Sequence, residues 1–267
     1  MRDFSAVIIE NSQVKPGIFN LWLEVGNSFT AIPGQFVNIY ADRPDMLLPR
    51  PVSICDTMDN AIRLMYQVAG KGTGYLSGFK PGEKIRIAGP LGNGFNTDAA
   101  GGSTGSAPGA AAGKILIVGG GIGVPPLLFL AKKLKHAQVV LGFRSASSEI
   151  LSAEFTSLQC DTAIATDDGS LGFEGNVMQA VQALVNRKDI LRIYACGPRS
   201  MLKGASEYAV ENGISCQISM EEYLGCGIGA CLCCPVPVYE NGVKTYKKLC
   251  KDGPVFSAGT VIWGGAL

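Results

Sequence analysis

Four cysteines, Cys226, Cys231, Cys234 and Cys250, follow one another as C-x4-C-x2-C, then fifteen residues and a last Cys. That asymmetric spacing is the ligand pattern of a plant-type two-iron, two-sulfur site, whose chemistry is one-electron transfer. Such a cluster needs several thiolates to converge on one place. Gly225, Gly227, Gly229 and Ala230 let the intervening backbone curl close to the inorganic sulfides. Amides in so tight a loop point inward at an anionic centre and help set its potential. A structural zinc also takes four cysteines, but zinc knuckles usually repeat two similar CxxC pairs, and the spacing here is lopsided. A disulfide framework fits less well, because the chain is long, holds nine cysteines and opens without a basic-then-apolar secretory pattern. Cys233 would give a cramped C-x-C bite and is read as a bystander. Cys55, Cys160 and Cys216 fall in apolar, strand-like surroundings that suit buried, inert thiols.

Glycine offers a second chemistry. Gly119, Gly120, Gly121 and Gly123 follow a strand-like run and precede a helical one, so backbone amides can meet a pyrophosphate there without side-chain obstruction. The motif is not a complete GxGxxG, since Pro125 and Pro126 stand where the last glycine would fall; a merely tight strand-to-helix turn is the competing reading. Later strand ends carry Thr166, Asp167, Asp168, Gly169 and Ser170, then Cys196, Gly197 and Pro198, which an open parallel sheet gathers at one crevice. Asp168 has two readings, as a ligand of a ribose hydroxyl or as the cap of the turn that follows it. Nearer the start stand two further groups, Arg50, Pro51, Val52 and Ser53, and Gly70, Lys71, Gly72, Thr73 and Gly74. Arg50 can grip a phosphate bidentately. The glycines and Thr73 offer amides and a hydroxyl, or else form a plain hairpin turn.

The elements that must position these residues change character along the chain. Up to about Leu91 the apolar residues come in short runs at 6–9, 19–25, 36–40, 62–68 and 85–87, parted by Gly, Pro and Asn, which predicts an antiparallel barrel of six or so strands. Residues 99–113, AAGGSTGSAPGAAAG, have almost nothing to bury and read as an exposed linker loop. After Lys114, strands at 115–118, 138–143, 162–166, 192–196 and 214–220 alternate with helices at 124–135, 149–158, 177–186 and 199–212. Crossover helices between such strands predict an open, doubly wound parallel sheet. The division expected is therefore 1–98, a linker at 99–113, 114–220 and a cysteine-bearing segment at 221–267.

With 267 residues the chain suggests two domains and an appendage, and 23 basic against 22 acidic residues leave no electrostatic footprint for nucleic acid or an anionic membrane. The longest apolar run, 115–131, is broken by four glycines and two prolines and does not read as a membrane span. A soluble cytoplasmic protein is expected. The single histidine, His136, lies away from every motif, and no nucleophile–base pair stands out.

Taken in order, RPVSI, GKGTG, GGGIG and CGP, with GCGIGACLCC and LCKDGPVF after them, make the chain resemble the ferredoxin-NADP reductase superfamily. Within it, the chain looks like the family of electron-transfer subunits of B-type dihydroorotate dehydrogenase. The resemblance implies three parts, an FAD-binding β-barrel, an NAD-binding α/β domain and a small [2Fe-2S] domain. FAD would be held by Arg50, Pro51, Val52 and Ser53, with Arg50 on the pyrophosphate and Ser53 near the reactive edge of the isoalloxazine. Gln67, Val68 and Ala69, with Gly72, Thr73 and Gly74, would complete that site through backbone groups. Many relatives stack a Tyr on the flavin where this chain has Val52. Gly119, Gly120, Gly121 and Gly123 would take the NAD pyrophosphate, and Cys196, Gly197 and Pro198 would lie beside the nicotinamide. Arg144 leaves room for NADP, but Asp167 and Asp168 would repel a 2′-phosphate, which favours NAD. The implied partner is an FMN-containing catalytic subunit that oxidises dihydroorotate in pyrimidine biosynthesis, in an assembly of two copies of each chain. A reductase subunit of a cytosolic hydrogenase, sulfide dehydrogenase or transhydrogenase complex would share this layout, and a zinc-stabilised nucleotide-sensing module is the reading without redox chemistry.

Overall fold

The computed structural model describes residues 2–97 and 113–264 of the chain, so all of the expected linker except Gly113 lies outside the described residues. The first part is a closed antiparallel barrel. Its strands are β1 (Arg2–Lys15), β2 (Ile18–Glu24), β3 (Phe36–Tyr40), β4 (Arg50–Met58), β5 (Ala61–Gln67) and, after the short helix α1 (Lys71–Leu76), β6 (Lys84–Leu91). They close in the order β1-β2-β5-β4-β3-β6. Inward-facing Ile8, Leu21, Leu23, Ile54, Leu64 and Ile87 fill the barrel because side chains on a strand alternate between two faces. The strand that the sequence pattern does not announce is β4, which carries the RPVSI motif. Its pairing with β5 slips between Ile54 and Asp56, a bulge that bends the strand and re-aims its side chains.

The second part alternates strand and helix: β7 (Lys114–Gly120), α2 (Pro125–Leu134), β8 (Gln138–Phe143), α3 (Ser152–Ser157), β9 (Asp161–Thr166), a two-residue β10 (Phe173–Glu174), α4 (Val177–Leu184), β11 (Ile190–Cys196), α5 (Arg199–Glu211) and β12 (Ser215–Ser219). Pro125 and Pro126 open α2, where the missing amide hydrogens would have had no intrahelical partner. The five strands β9-β8-β7-β11-β12 lie parallel in that order, with separate apolar clusters on the two faces of the sheet. Strand order reverses between β7 and β11, and the register sets Gly119 beside Cys196. Ligands of open α/β sheets bind outside the carboxyl ends at such a switch point.

The last segment forms a hairpin, β13 (Pro235–Glu240) with β14 (Val243–Lys248), a single helical turn α6 (Leu249–Asp252) and β15 (Val255–Ser257). This β15 pairs antiparallel with β12, so the segment past 221 supplies the edge strand of the parallel sheet. No helix among the described residues is long and apolar enough to cross a membrane.

Barrel and α/β part are joined by apolar insertion and by charge. Phe129 of α2 packs into the barrel's core cluster. Arg63 of β5 donates to both carboxylate oxygens of Glu154 on α3, at 2.6 and 3.0 Å. Lys132 of α2 pairs with Asp56 of β4, whose side chain is only 6 % exposed. Removing the ammonium leaves that buried carboxylate with the Thr57 amide but without its cation, so Lys132→Met should lower unfolding stability by about 2 kcal/mol in a denaturant titration.

Candidate functional site

The cysteine-bearing loop draws its thiols into two pairs. The amides of Cys226 and Cys231 each donate to the other's sulfur, at 3.3 and 3.4 Å, and the Cys234 thiol donates to Cys250 Sγ at 3.4 Å. A two-iron cluster takes its four protein thiolates as two per iron, a division that the contacts of Cys226 with Cys231 and of Cys234 with Cys250 suit. Further amides converge from inside the loop, Ile228 and Ala230 on Cys226 Sγ and Gly229 on Cys250 Sγ at 3.1 Å. Amide donors of this kind stabilise sulfur-borne negative charge. The backbone donors of Cys233 and Cys226 pull the exposed Cys231 thiol down to about 6. Burial pushes Cys250 up to about 12, so its proton leaves only when a metal competes for the sulfur. Cys233 is exposed, with its thiol turned to the Cys231 carbonyl at 3.7 Å.

Between this loop and the barrel lies a cavity of about 350 Å³. Pro51, Val52, Ser53, Gln67, Ala69 and Thr73 line it from the barrel, and Ile122, Pro126 and Cys196 from the glycine turn and β11. The third wall is Met220, Glu221, Leu224, Leu249 and Pro254, so residues two before Cys226 and one before Cys250 face the same space. Arg50 does not line the cavity. Its guanidinium lies against Gly72, where an added Cβ would sit 1.8 Å from Nε, so glycine makes the room that Arg50 fills. Val68, Gly72 and Gly74 stand behind the lining. The Val68 amide pairs with Gly17 O, and the Ala69 and Gly70 amides donate to Thr73 Oγ1, which caps α1. An apolar slot with a few polar groups on its wall suits a large planar cofactor, and Arg50, outside the lining beside Gly72, is the nearby cation that can meet a phosphate.

A second cavity of about 570 Å³ sits at the switch point of the sheet, lined by Gly120, Gly121, Gly123, Gly197 and Pro198, with Phe143, Arg144 and Asp167 farther along. Gly123 is held to glycine by packing, since a Cβ there would lie 2.5 Å from Gly197 Cα, backbone against backbone. Gly119 lies below the cavity, packed against Val124, Leu127 and Leu141. The two cavities share Gln67, Ile122 and Glu221 as common wall. Cys196 stands at that junction. Burial, then the nearby Glu221 carboxylate, raises its thiol far above the ordinary cysteine range, which keeps it protonated at neutral pH. Solvent reaches Glu221 through the cavities, yet protein packs closely enough round it to raise its carboxyl above the usual range.

Comparison with known proteins settles the lineage. Residues 221–262 match the iron-sulfur cluster binding domain of dihydroorotate dehydrogenase B. The chain is 44% identical over 237 residues to the dihydroorotate dehydrogenase B (NAD(+)) electron transfer subunit of Geobacillus thermodenitrificans, covering 86% of each. It is 35% identical to the subunit of that name from Desulforamulus reducens, over 97% of this chain and 98% of the relative. The chain belongs to the dihydroorotate dehydrogenase B electron transfer subunit family. Among solved structures, the NADH-dependent reduced ferredoxin-NADP oxidoreductase superposes with a TM-score of 0.81 at 29% identity, over 97% of this chain and 90% of that one. A flavohemoglobin from Malassezia yamatoensis shares the fold at a TM-score of 0.66 and 19% identity, over 82% of this chain and 60% of that one.

In this member of the dihydroorotate dehydrogenase B electron transfer family, Asp168 does not reach the dinucleotide crevice. Its carboxylate accepts from the Ser170 hydroxyl and, at 3.0 Å, the Ser170 amide, which hold it below the usual carboxylate range. Asp168 therefore caps its turn, and Asp167 is the acid that lines the crevice. The zinc-module reading gives way to the matched iron-sulfur domain. Among the wall residues outside the motifs, Phe36 comes from β3, and Glu221 and Leu224 follow β12. Glu221 was within reach of the strand-end rule, because it lies just beyond the carboxyl end of the fifth parallel strand, as Cys196 lies at the carboxyl end of the fourth.

Proposed function

We propose that the chain is the electron-transfer subunit of a B-type dihydroorotate dehydrogenase, carrying electrons from the FMN of a partner catalytic subunit through a [2Fe-2S] cluster and FAD to NAD+ in pyrimidine biosynthesis. The observation that carries this reading is the placement of the first cavity, which shares one wall with the dinucleotide crevice and has another built from residues flanking Cys226 and Cys250. A flavin exchanges electron pairs with a nicotinamide and single electrons with an iron-sulfur centre, and that is the chemistry this middle position calls for.

The chain's own residues bind, orient and shield. Arg50 would hold the FAD pyrophosphate, Pro51, Val52 and Ser53 would bind the flavin from β4, and Gln67, Val68, Ala69, Gly72, Thr73 and Gly74 would shape the slot. Gly120, Gly121 and Gly123 bring backbone close to the NAD pyrophosphate. Cys196, Gly197 and Pro198 position the nicotinamide, with Cys196 as an uncharged contact beside it. Cys226, Cys231, Cys234 and Cys250 hold the cluster. No proton needs to be abstracted from dihydroorotate here, in keeping with His136 being exposed and lining neither cavity. We assign the chain to three parts, 1–98, 114–220 and 221–267, to an assembly of two electron-transfer and two catalytic chains, and to the cytoplasm, where nine free cysteines remain reduced.

The test is spectroscopic. Anaerobically purified protein should contain flavin and iron in a ratio of one to two, show flavin and ferric-sulfide absorption together, and bleach with NADH. A colourless protein holding zinc refutes the assignment.

A further inference from the structure

One buried polar side chain belongs to none of the groups above. Asn38 lies in the middle of β3 and is fully buried, yet its Oδ1 has no hydrogen-bond partner. Its Nδ2 donates across to the cluster loop, reaching the carbonyl of Cys226 at 3.1 Å. A backbone carbonyl can only accept, so only a donor at position 38 can make this contact. The loop comes down hard on the amide. Gly227 has φ +71°, and a Cβ there would lie 2.2 Å from Asn38 Nδ2.

The position of Asn38 in the barrel gives the contact its meaning. In the ladder with β4, Asn38 sits opposite Pro51, and Phe36 opposite Ser53. Residues two apart on a strand share a face, and Phe36 lines the flavin cavity while Val37 and Ile39 point into the barrel core. The face that meets the flavin motif at Phe36 therefore meets the first cluster ligand at Asn38. The other arm of the cluster is tied separately. Asn93, just past β6, donates its side-chain amide to Asp252 O at 3.0 Å and its backbone amide to Gly253 O at 2.6 Å.

We propose that Asn38 is a positioning residue that sets the gap between the flavin site and the cluster, by anchoring the Cys226 arm to the strand beside the flavin motif. The inference rests on the electron-transfer reading above and assigns a role to a side chain outside every motif. A bound flavin and a cluster would exchange electrons one at a time across the gap between their sites, so what the protein controls there is distance and rigidity. Replacing Asn38 by leucine keeps a side chain branched at Cγ but removes the donor, which leaves the Cys226 carbonyl without this partner and the loop without its tie to β3.

The experiment uses N38L in the full-length holo-protein, with N38V, a strand-favouring residue, as the second variant should the first not fold. Anaerobic protein is rapidly mixed with NADH. Flavin bleaching and the appearance of the reduced-cluster spin signal are followed separately, both per bound iron, and amide hydrogen exchange over residues 225–231 is measured on the same samples. The result expected is flavin reduction at the wild-type rate, cluster reduction slower by about tenfold, and loop exchange faster by a similar factor, the size typical of losing an outer-shell partner of a metal ligand. Cluster reduction at the wild-type rate, with unchanged loop exchange, overturns the proposal while leaving the electron-transfer reading intact. Absence of any iron-borne signal in the wild-type protein overturns that reading, and this inference with it.

Discussion

Replacing Cys250 by serine is expected to abolish electron exchange with the partner's FMN while NADH still bleaches FAD. Cys250 is 2 % exposed on α6, with its sulfur 3.4 Å from Cys234 Sγ and receiving the Gly229 amide. Serine keeps the shape but replaces a soft thiolate by a hard, weakly acidic hydroxyl, which iron-sulfur centres do not favour. The dinucleotide crevice and the glycine turn do not contain Cys250, so the hydride half of the path survives. The assay is split accordingly, into NADH-dependent flavin bleaching, which stays, and dihydroorotate-dependent NAD+ reduction in the complex, which falls to background. Cys233→Ser, one position from Cys234, is the control. It changes an exposed thiol outside the proposed ligand set, and it keeps iron and turnover.

The second large effect lies at the other end of the path. Gly123→Ala puts a methyl group 2.5 Å from Gly197 Cα, where neither neighbour is a side chain that can rotate away. The turn after β7 and the turn after β11 must part, and these turns form the floor of the dinucleotide crevice. A shift of about 1 Å in a reacting group can cost about a hundredfold in rate. Flavin reduction by NADH should therefore fall by about that factor in single-turnover mixing. Iron and flavin content stay at wild-type levels, because Arg50, Gly72 and the four cluster thiols lie on other elements. The pair of variants thus divides the molecule, Cys250→Ser removing the one-electron half and Gly123→Ala the hydride half.

Where a residue type is nearly obligatory for its task, the sequence was enough to read it. Four thiols at a lopsided spacing, glycines at a strand-to-helix turn and alternating strands and helices after Lys114 all reappear in the structure at the expected places. The five parallel strands agree because buried parallel strands are short apolar runs with little polar interruption, as in Ile115, Leu116, Ile117 and Val118. β4 escaped the pattern because Arg50, Pro51, Ser53 and Asp56 break its alternation, the last of them paired with Lys132 of α2. β15 escaped because three residues carry no periodicity, and only its pairing with β12 makes it a strand. Asp168 offered two readings that no local signal separates; the Ser170 hydroxyl decides between them, and its orientation is a three-dimensional fact. Asn38 and Glu221 had no motif because each gains its role from a neighbour more than a hundred residues away in the chain or from a wall shared between two cavities.

The most direct test of the whole account is reconstitution. The purified chain is mixed anaerobically with an FMN-containing dihydroorotate dehydrogenase catalytic subunit, and reduction of NAD+ by dihydroorotate is followed. The account predicts NADH formation that requires both proteins and disappears when Cys250→Ser replaces the wild-type chain. NADH formed equally well by the catalytic subunit alone, or by the complex containing the cluster-free variant, would contradict it.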